Sequence, residues 1–105
     1  MFELTTAAEL DIADIYNHTS RLWGVIQAED YLQFLKDQMQ RLSDEPDLGR
    51  AVAQRAGLRI HTAKFNRSRM SHGHRIVYRE IKNGIRVIRF IHTAMDLDEA
   101  LRFIE

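Results

Sequence analysis

A chain of 105 residues, 45% hydrophobic and 29% charged, is long enough for one domain with a modest core, and its composition excludes wholesale disorder. Without a cysteine it can form no disulfide, thiol nucleophile or thiolate metal site. Its 15 basic and 15 acidic side chains cancel to zero net charge, but they are unevenly placed. Residues 1–50 hold ten acidic side chains against four basic, whereas residues 51–105 hold eleven basic against five acidic. Between Arg55 and His92, ten basic residues and four histidines face Glu80 alone. Such a block suits an anionic partner, either nucleic acid, a nucleoprotein or an acidic polypeptide; the alternative is a solvated surface partly cancelled by the acidic half. With no membrane-length apolar run and no basic-then-apolar leader, a single soluble, cytoplasmic domain over residues 1–105 is expected.

In chain order, Phe2–Leu4 reads as a short strand. Thr6 and Glu9 have capping-box spacing, and Ala8, Ile12, Ile15, Tyr16 and Leu22 follow with helical period until Gly24. A second apolar stripe, Ala28, Tyr31, Leu32, Leu35, Met39 and Leu42, predicts another helix ending before Pro46, the only proline. Together these make a helical hairpin whose stripes face a core.

The period then changes. Leu58–Phe65, Arg75–Lys82 and Ile85–His92 are rich in β-branched and aromatic residues, and Asn83-Gly84 is a strong hairpin signal between the last two. A turn centred on Asn83 and Gly84 sets Lys82 opposite Ile85, Tyr78 opposite Arg89, Val77 opposite Phe90 and Arg75 opposite His92. One face, with Ile76, Tyr78, Ile85, Val87 and Ile91, is expected under the helices. The other, with Arg75, Val77, Arg79, Arg86, Ile88, Phe90 and His92, interleaves arginines with apolar groups as a docking surface would. A Tyr78–Arg89 contact at the sheet edge and a short helix over Asp98–Ile104 complete the expectation.

Specific stretches are similar to the ParE branch of the RelE/ParE toxin superfamily of bacterial type II toxin–antitoxin systems. They are Ala8-Glu9-Leu10-Asp11-Ile12-Ala13-Asp14-Ile15 with Tyr16, Trp23-Gly24, Gln27-Ala28 with Tyr31, and Pro46 with Gly49-Arg50. Gly57-Leu58-Arg59, His74-Arg75-Ile76-Val77-Tyr78-Arg79, Asn83-Gly84-Ile85, Ile88-Arg89-Phe90-Ile91-His92 and Met95-Asp96 continue the match. The stretch from Arg59 to His74 is longer than is usual in ParE members. The resemblance implies an α+β fold in the order strand, two helices, three antiparallel strands, short helix. It also implies a toxin that stalls DNA gyrase with its DNA cut and is neutralised by a ParD-like antitoxin, without a cofactor. The alternatives are a RelE-like ribosome-dependent mRNA interferase and a member retaining only antitoxin binding.

On the gyrase reading, the expected target-binding residues are Arg59, Arg67, Arg69, Arg75, Arg79, Arg86, Phe90 and His92, with the Arg67–His74 loop. Antitoxin contacts are expected at Ile12, Ile15, Tyr16, Trp23, Tyr31, Leu35 and Met39, and at sheet arginines. An interferase needs a base, an acid and cations for the phosphorane, for which Arg75, His92, Arg79 and His61 are the candidates. His72 and His74 form an H-x-H pair with no third ligand at suggestive spacing, so no metal is expected.

Overall fold

A computed structural model describes residues 1–67, 70–102 and 104, with backbone only for residues 66, 67 and 70–72. Strand β1 (Phe2–Leu4) leads into helices α1 (Thr6–Trp23) and α2 (Val25–Asp44) and a 3-10 turn at Pro46–Leu48. Strands β2 (Arg50–Ala51), β3 (Leu58–Arg67), β4 (Met70–Ile81) and β5 (Gly84–His92) follow, then helix α3 (Leu97–Leu101). This is the expected order with one addition, the two-residue strand β2.

The cap of α1 lies one residue before the expected position. Thr5 is still extended, and its Oγ1 accepts from the Ala8 N–H (3.1 Å) while donating to the Ile88 carbonyl (2.8 Å). One hydroxyl therefore caps the helix and ties it to β5, which Thr6 is not placed to do. Gly24 separates the helices at φ +92°, a conformation that disfavours any side chain.

The sheet runs β1-β5-β4-β3-β2, antiparallel except for the parallel β1–β5 pair. Both helices lie on one face. Ile15, Tyr31, Leu35, Met39 and Leu42 pack there against Ala63, Ile76, Tyr78, Ile85, Val87 and Phe90. A second, smaller core lies on the opposite face, where Leu101 and Ile104 of the tail cover Leu58, Ile60, Val77 and Ile91.

The hairpin register differs from expectation in two places. Ile81 pairs with Gly84, so Lys82 and Asn83 form the turn, with Asn83 alone at positive φ (66°). Gly84 is needed for another reason, since a β-carbon there would run into the Met1 carbonyl. The second shift is a β-bulge: Tyr78 pairs with Val87 but Val77 pairs with Arg89, leaving Ile88 unmatched. The observed partners are therefore Val77–Arg89, Ile76–Phe90, Arg75–Ile91 and His74–His92. Phe90 and His92 consequently turn toward the helices, and Ile91 turns away from them, the reverse of the regular register.

The expected Tyr78–Arg89 contact is absent as well. Tyr78 is fully buried, accepting from the Gly49 N–H (2.8 Å) and donating to the Pro46 carbonyl (2.7 Å). It thereby holds the 3-10 turn against the sheet. The presumed Arg67–His74 loop is mostly strand, because β4 starts at Met70 and pairs with β3 through Arg67–Met70. Cross-strand pairing overrides the weak local β preference of Ser71-His72-Gly73.

Candidate interaction surface

The outer sheet face is built by alternation on β4, which directs Arg75, Val77 and Arg79 away from the helices. Val77 is buried under the tail, so the free part of this face is cationic rather than apolar. Several arginines are fixed there by backbone carbonyls. Arg75 Nη1 donates to Thr93 (3.3 Å) and Met95 (3.4 Å), and Arg79 Nη1 to Ala56 (2.6 Å), whereas Arg59, which pairs with Tyr78 and shares its helix-side face, donates to Gly49 (2.6 Å) and Asp47 (3.3 Å). Arg55 holds the tail through the carbonyls of Leu101 (2.9 Å) and Ile104. A carbonyl orients a guanidinium without cancelling its charge, so these bonds hold positive charge at set positions.

Carboxylates contact Arg86 and Arg89. Arg86 Nε lies 2.5 Å from Glu3 Oε1, an exposed pair. Arg89 makes a two-pronged contact with Asp11, Nε to Oδ2 at 2.7 Å and Nη2 to Oδ1 at 2.9 Å. Asp11 Oδ2 also accepts from the Phe90 N–H (2.9 Å), closing the bulged strand edge onto α1. Its bond to Asp11 raises the Arg89 pKa. Asp11 looked like one of several solvated helix acids in the sequence, and nothing in its spacing marks it as an anchor.

The four residues considered for an interferase are not brought together. Arg75 and Arg79 lie on the outer face, whereas His61 and His92 lie on the helix face. His61 Nε2 is 2.9 Å from Gln38 Oε1 on α2, and burial followed by the nearby Arg41 charge lowers its pKa. His92 Nδ1 accepts from the Ala94 N–H (2.9 Å), and its ring meets His74 edge to face at 5.1 Å. Buried His74 in turn has Nδ1 2.6 Å from the Tyr31 hydroxyl, whose pKa is raised by burial. A cleft of about 190 Å³ beside them is lined by Asp14, Ile15, His18, Thr19, His74 and His92. Among the described residues, no group of three or more histidines and acids could hold a metal ion.

Of the expected antitoxin contacts, Ile15, Tyr31, Leu35 and Met39 are core residues, Ile12 and Tyr16 are half-buried, and Trp23 is exposed. The exposed apolar surface of the hairpin tip is Leu22, Trp23, Val25 and Ile26. Among the expected target contacts, Phe90 is buried in the helix-side core and His92 is half-buried. Arg69 lies outside the described residues, as do the side chains of Arg67 and His72.

Comparison with known proteins gives a consistent picture. Residues 2–97 match the family described as ParE toxin of type II toxin-antitoxin system, parDE. Toxin ParE1 of Mycobacterium tuberculosis (strain H37Rv) is 36% identical over 100 residues, covering 93% of this chain and 94% of the relative. Toxin ParE1 of Caulobacter vibrioides (strain CB 15) is 27% identical over 96 residues, covering 90% and 91%. A solved chain of the chromosomal ParDE TA system from P. aeruginosa superposes with a TM-score of 0.62 at 22% identity, covering 87% and 92%. This last likeness is one of fold.

Proposed function

Because the chain belongs to the ParE toxin family of type II toxin–antitoxin systems, we propose that it poisons DNA gyrase and is held inactive by a ParD-like antitoxin in the cytoplasm. The observation that carries this reading is the outer face, where Arg75 and Arg79 are oriented by backbone carbonyls. A rigid cationic surface suits binding to a protein–DNA assembly, in which affinity comes from many modest contacts. The separation of Arg75 and Arg79 from His61 and His92 on opposite faces favours a binding poison over acid–base cleavage of RNA. Among the described residues, no helix is long and apolar enough to cross a membrane, in keeping with action inside the cell.

The deciding experiment is a supercoiling and cleavage assay with purified gyrase, ATP, plasmid and the chain freed from any antitoxin. The expected result is lost supercoiling with linear DNA accumulating after denaturation of the protein. Arg75→Gln is expected to lower potency in part, with the melting transition retained. Unchanged gyrase activity with a folded sample would overturn the target, and cleavage of mRNA on added ribosomes would replace it. Co-purification with the product of a small adjacent reading frame tests the antitoxin separately.

A further inference from the structure

Strand β3 is ten residues long, yet β2 pairs with it only at Arg59 and Ile60. Among the described residues nothing else pairs with that edge. In an antiparallel ladder each residue turns its N–H and C=O toward the same neighbour, and successive residues alternate. Leu58 accepts from the Val52 N–H on the β2 side, so Ile60, Thr62 and Lys64 turn the same way. Thr62 and Lys64 therefore present their peptide groups at an open edge, and both residues are exposed. No proline or bulge interrupts the strand there, and Lys64 is the single permanent charge between His61 and Phe65, so the edge is lightly guarded.

The flanks of this edge define what would lie along it. On the helix side Phe34 and Phe65 are half-buried, with ring centroids 5.0 Å apart. Beside them His61 contacts Gln38, and the charge acting on its ring is that of Arg41. Arg41 on α2 and Lys64 on the outer side are exposed and form no ion pair among the described residues. Residues 66–72, at the far end of the edge, include no acid that could offset them. Peptide groups at strand spacing, an aromatic patch and two cations suit a short extended segment with apolar and acidic side chains.

A second copy of the chain does not fit. Two β3 strands set antiparallel about Ala63 would bring Asn66 and Arg67 of one opposite Ile60 and Arg59 of the other, positions already held by Arg50 and Ala51. The next register that keeps the hydrogen bonds sets Lys64 opposite itself. The occupant is also one that neutralises. Thr62 pairs with Arg75 on the outer face, so a strand added here lies beside the cationic surface and crowds whatever binds it.

We propose that the free edge of β3 from His61 to Phe65 is a strand-addition site for an extended segment of the neutralising antitoxin, which sets an apolar side chain on Phe34 and Phe65 and carboxylates beside Lys64 and Arg41. The site rests on the antitoxin of the preceding section. Running antiparallel to β3, the segment is apolar, acidic, apolar, polar and acidic opposite Phe65, Lys64, Ala63, Thr62 and His61 in turn.

The probe is a blocked Leu-Glu-Val-Thr-Glu peptide added to the ¹⁵N-labelled full chain, with hydrogen exchange followed at single backbone amides. The Thr62 and Lys64 N–H groups are expected to exchange fast in the free chain and about tenfold more slowly once the peptide saturates. His61 and Ala63, whose peptide groups turn toward β4, are expected to be slow throughout. The Leu-Gln-Val-Thr-Gln analogue is expected to bind about tenfold more weakly. A peptide N-methylated at its second and fourth residues keeps every side chain but loses the amides that face β3, and is expected not to bind. Thr62→Pro removes an N–H that no described strand uses, so it is expected to abolish binding with the fold retained. Lys64→Gln, milder and at an exposed position, is expected to weaken it. Unslowed Thr62 and Lys64 amides, equal binding of the N-methylated peptide, or equal binding of the acidic and amide peptides would overturn the proposal. The same amides are then followed in the complex with co-purified antitoxin, where slowing supports this occupant. Free exchange in a complex that does form overturns the site and leaves the antitoxin reading intact, whereas failure to co-purify counts against the antitoxin itself.

Discussion

His61 sits on the helix side of β3 beside Gln38 and Arg41, and both its burial and the Arg41 charge disfavour the imidazolium. A lowered folded-state pKa means that the unfolded chain binds more protons below the ordinary histidine value of about 6.5. Its contribution to stability is therefore intact above that pH and is lost as the pH falls toward the folded pKa. His61→Gln is expected to flatten the decline between about pH 7 and 5, read from denaturant midpoints. Asp11 acts by geometry instead, since its two oxygens receive three donors from Arg89 and Phe90. Asp11→Ala is expected to cost about 1–3 kcal/mol in chemical denaturation, with Asp11→Asn costing less because an acceptor for the Phe90 N–H is retained. Both residues were ordinary in the sequence, because a lone polar side chain on a helix or strand gives no sign of what the partner element brings to it.

The secondary elements were far more legible. Gly24 ends α1 as expected, its cap falls at Thr5 rather than Thr6, the stripe from Ala28 to Leu42 marks the buried side of α2, and Phe2–Leu4 is a strand as expected. What the periodicities could not supply was phase. A two-residue turn at Lys82-Asn83 instead of Asn83-Gly84, followed by the unmatched Ile88, reassigns Phe90, Ile91 and His92 between faces. Both shifts depend on contacts distant in sequence, Gly84 against Met1 and Ile88 against Thr5. Helix α3 was expected, but not its seat on the outer face, where Leu101 completes a second core. Leu101→Ala is expected to destabilise by about 2–4 kcal/mol if the tail stays docked. A smaller loss, with faster proteolysis after Asp96, is the expected result if the tail detaches instead.

Across the whole molecule the two charge blocks become two sides. Exposed Asp14, Glu29 and Asp37 lie on the helices, whereas Arg75, Arg79 and Arg86 lie on the opposite face of the sheet. The sequence showed this asymmetry as a division along the chain, and the fold turns it into a polarity through the molecule. Exposed ion pairs such as Arg86–Glu3 and Arg102–Glu99 contribute little to stability. Raising salt from about 0.05 to 0.2 M is therefore expected to shift the unfolding free energy by less than about 1 kcal/mol. Inhibition of a DNA-bearing target should weaken markedly over the same range, measured as the concentration giving half-maximal loss of supercoiling.

The unmatched residue in β5 sets the parity of everything after it. Removing Ile88 would let the ladder run on without interruption, because Arg89 already pairs with Val77 and Phe90 with Ile76, and every later residue would keep its side of the sheet. Pairing Ile88 with Val77 in an unbroken ladder would instead send Arg89 beneath the helices and Phe90 out into water, so that inside and outside traded places. The faces of this strand thus rest on the ladder skipping one residue: a conservative exchange at position 88 is a local matter, whereas drawing Ile88 into the ladder rewrites a whole surface.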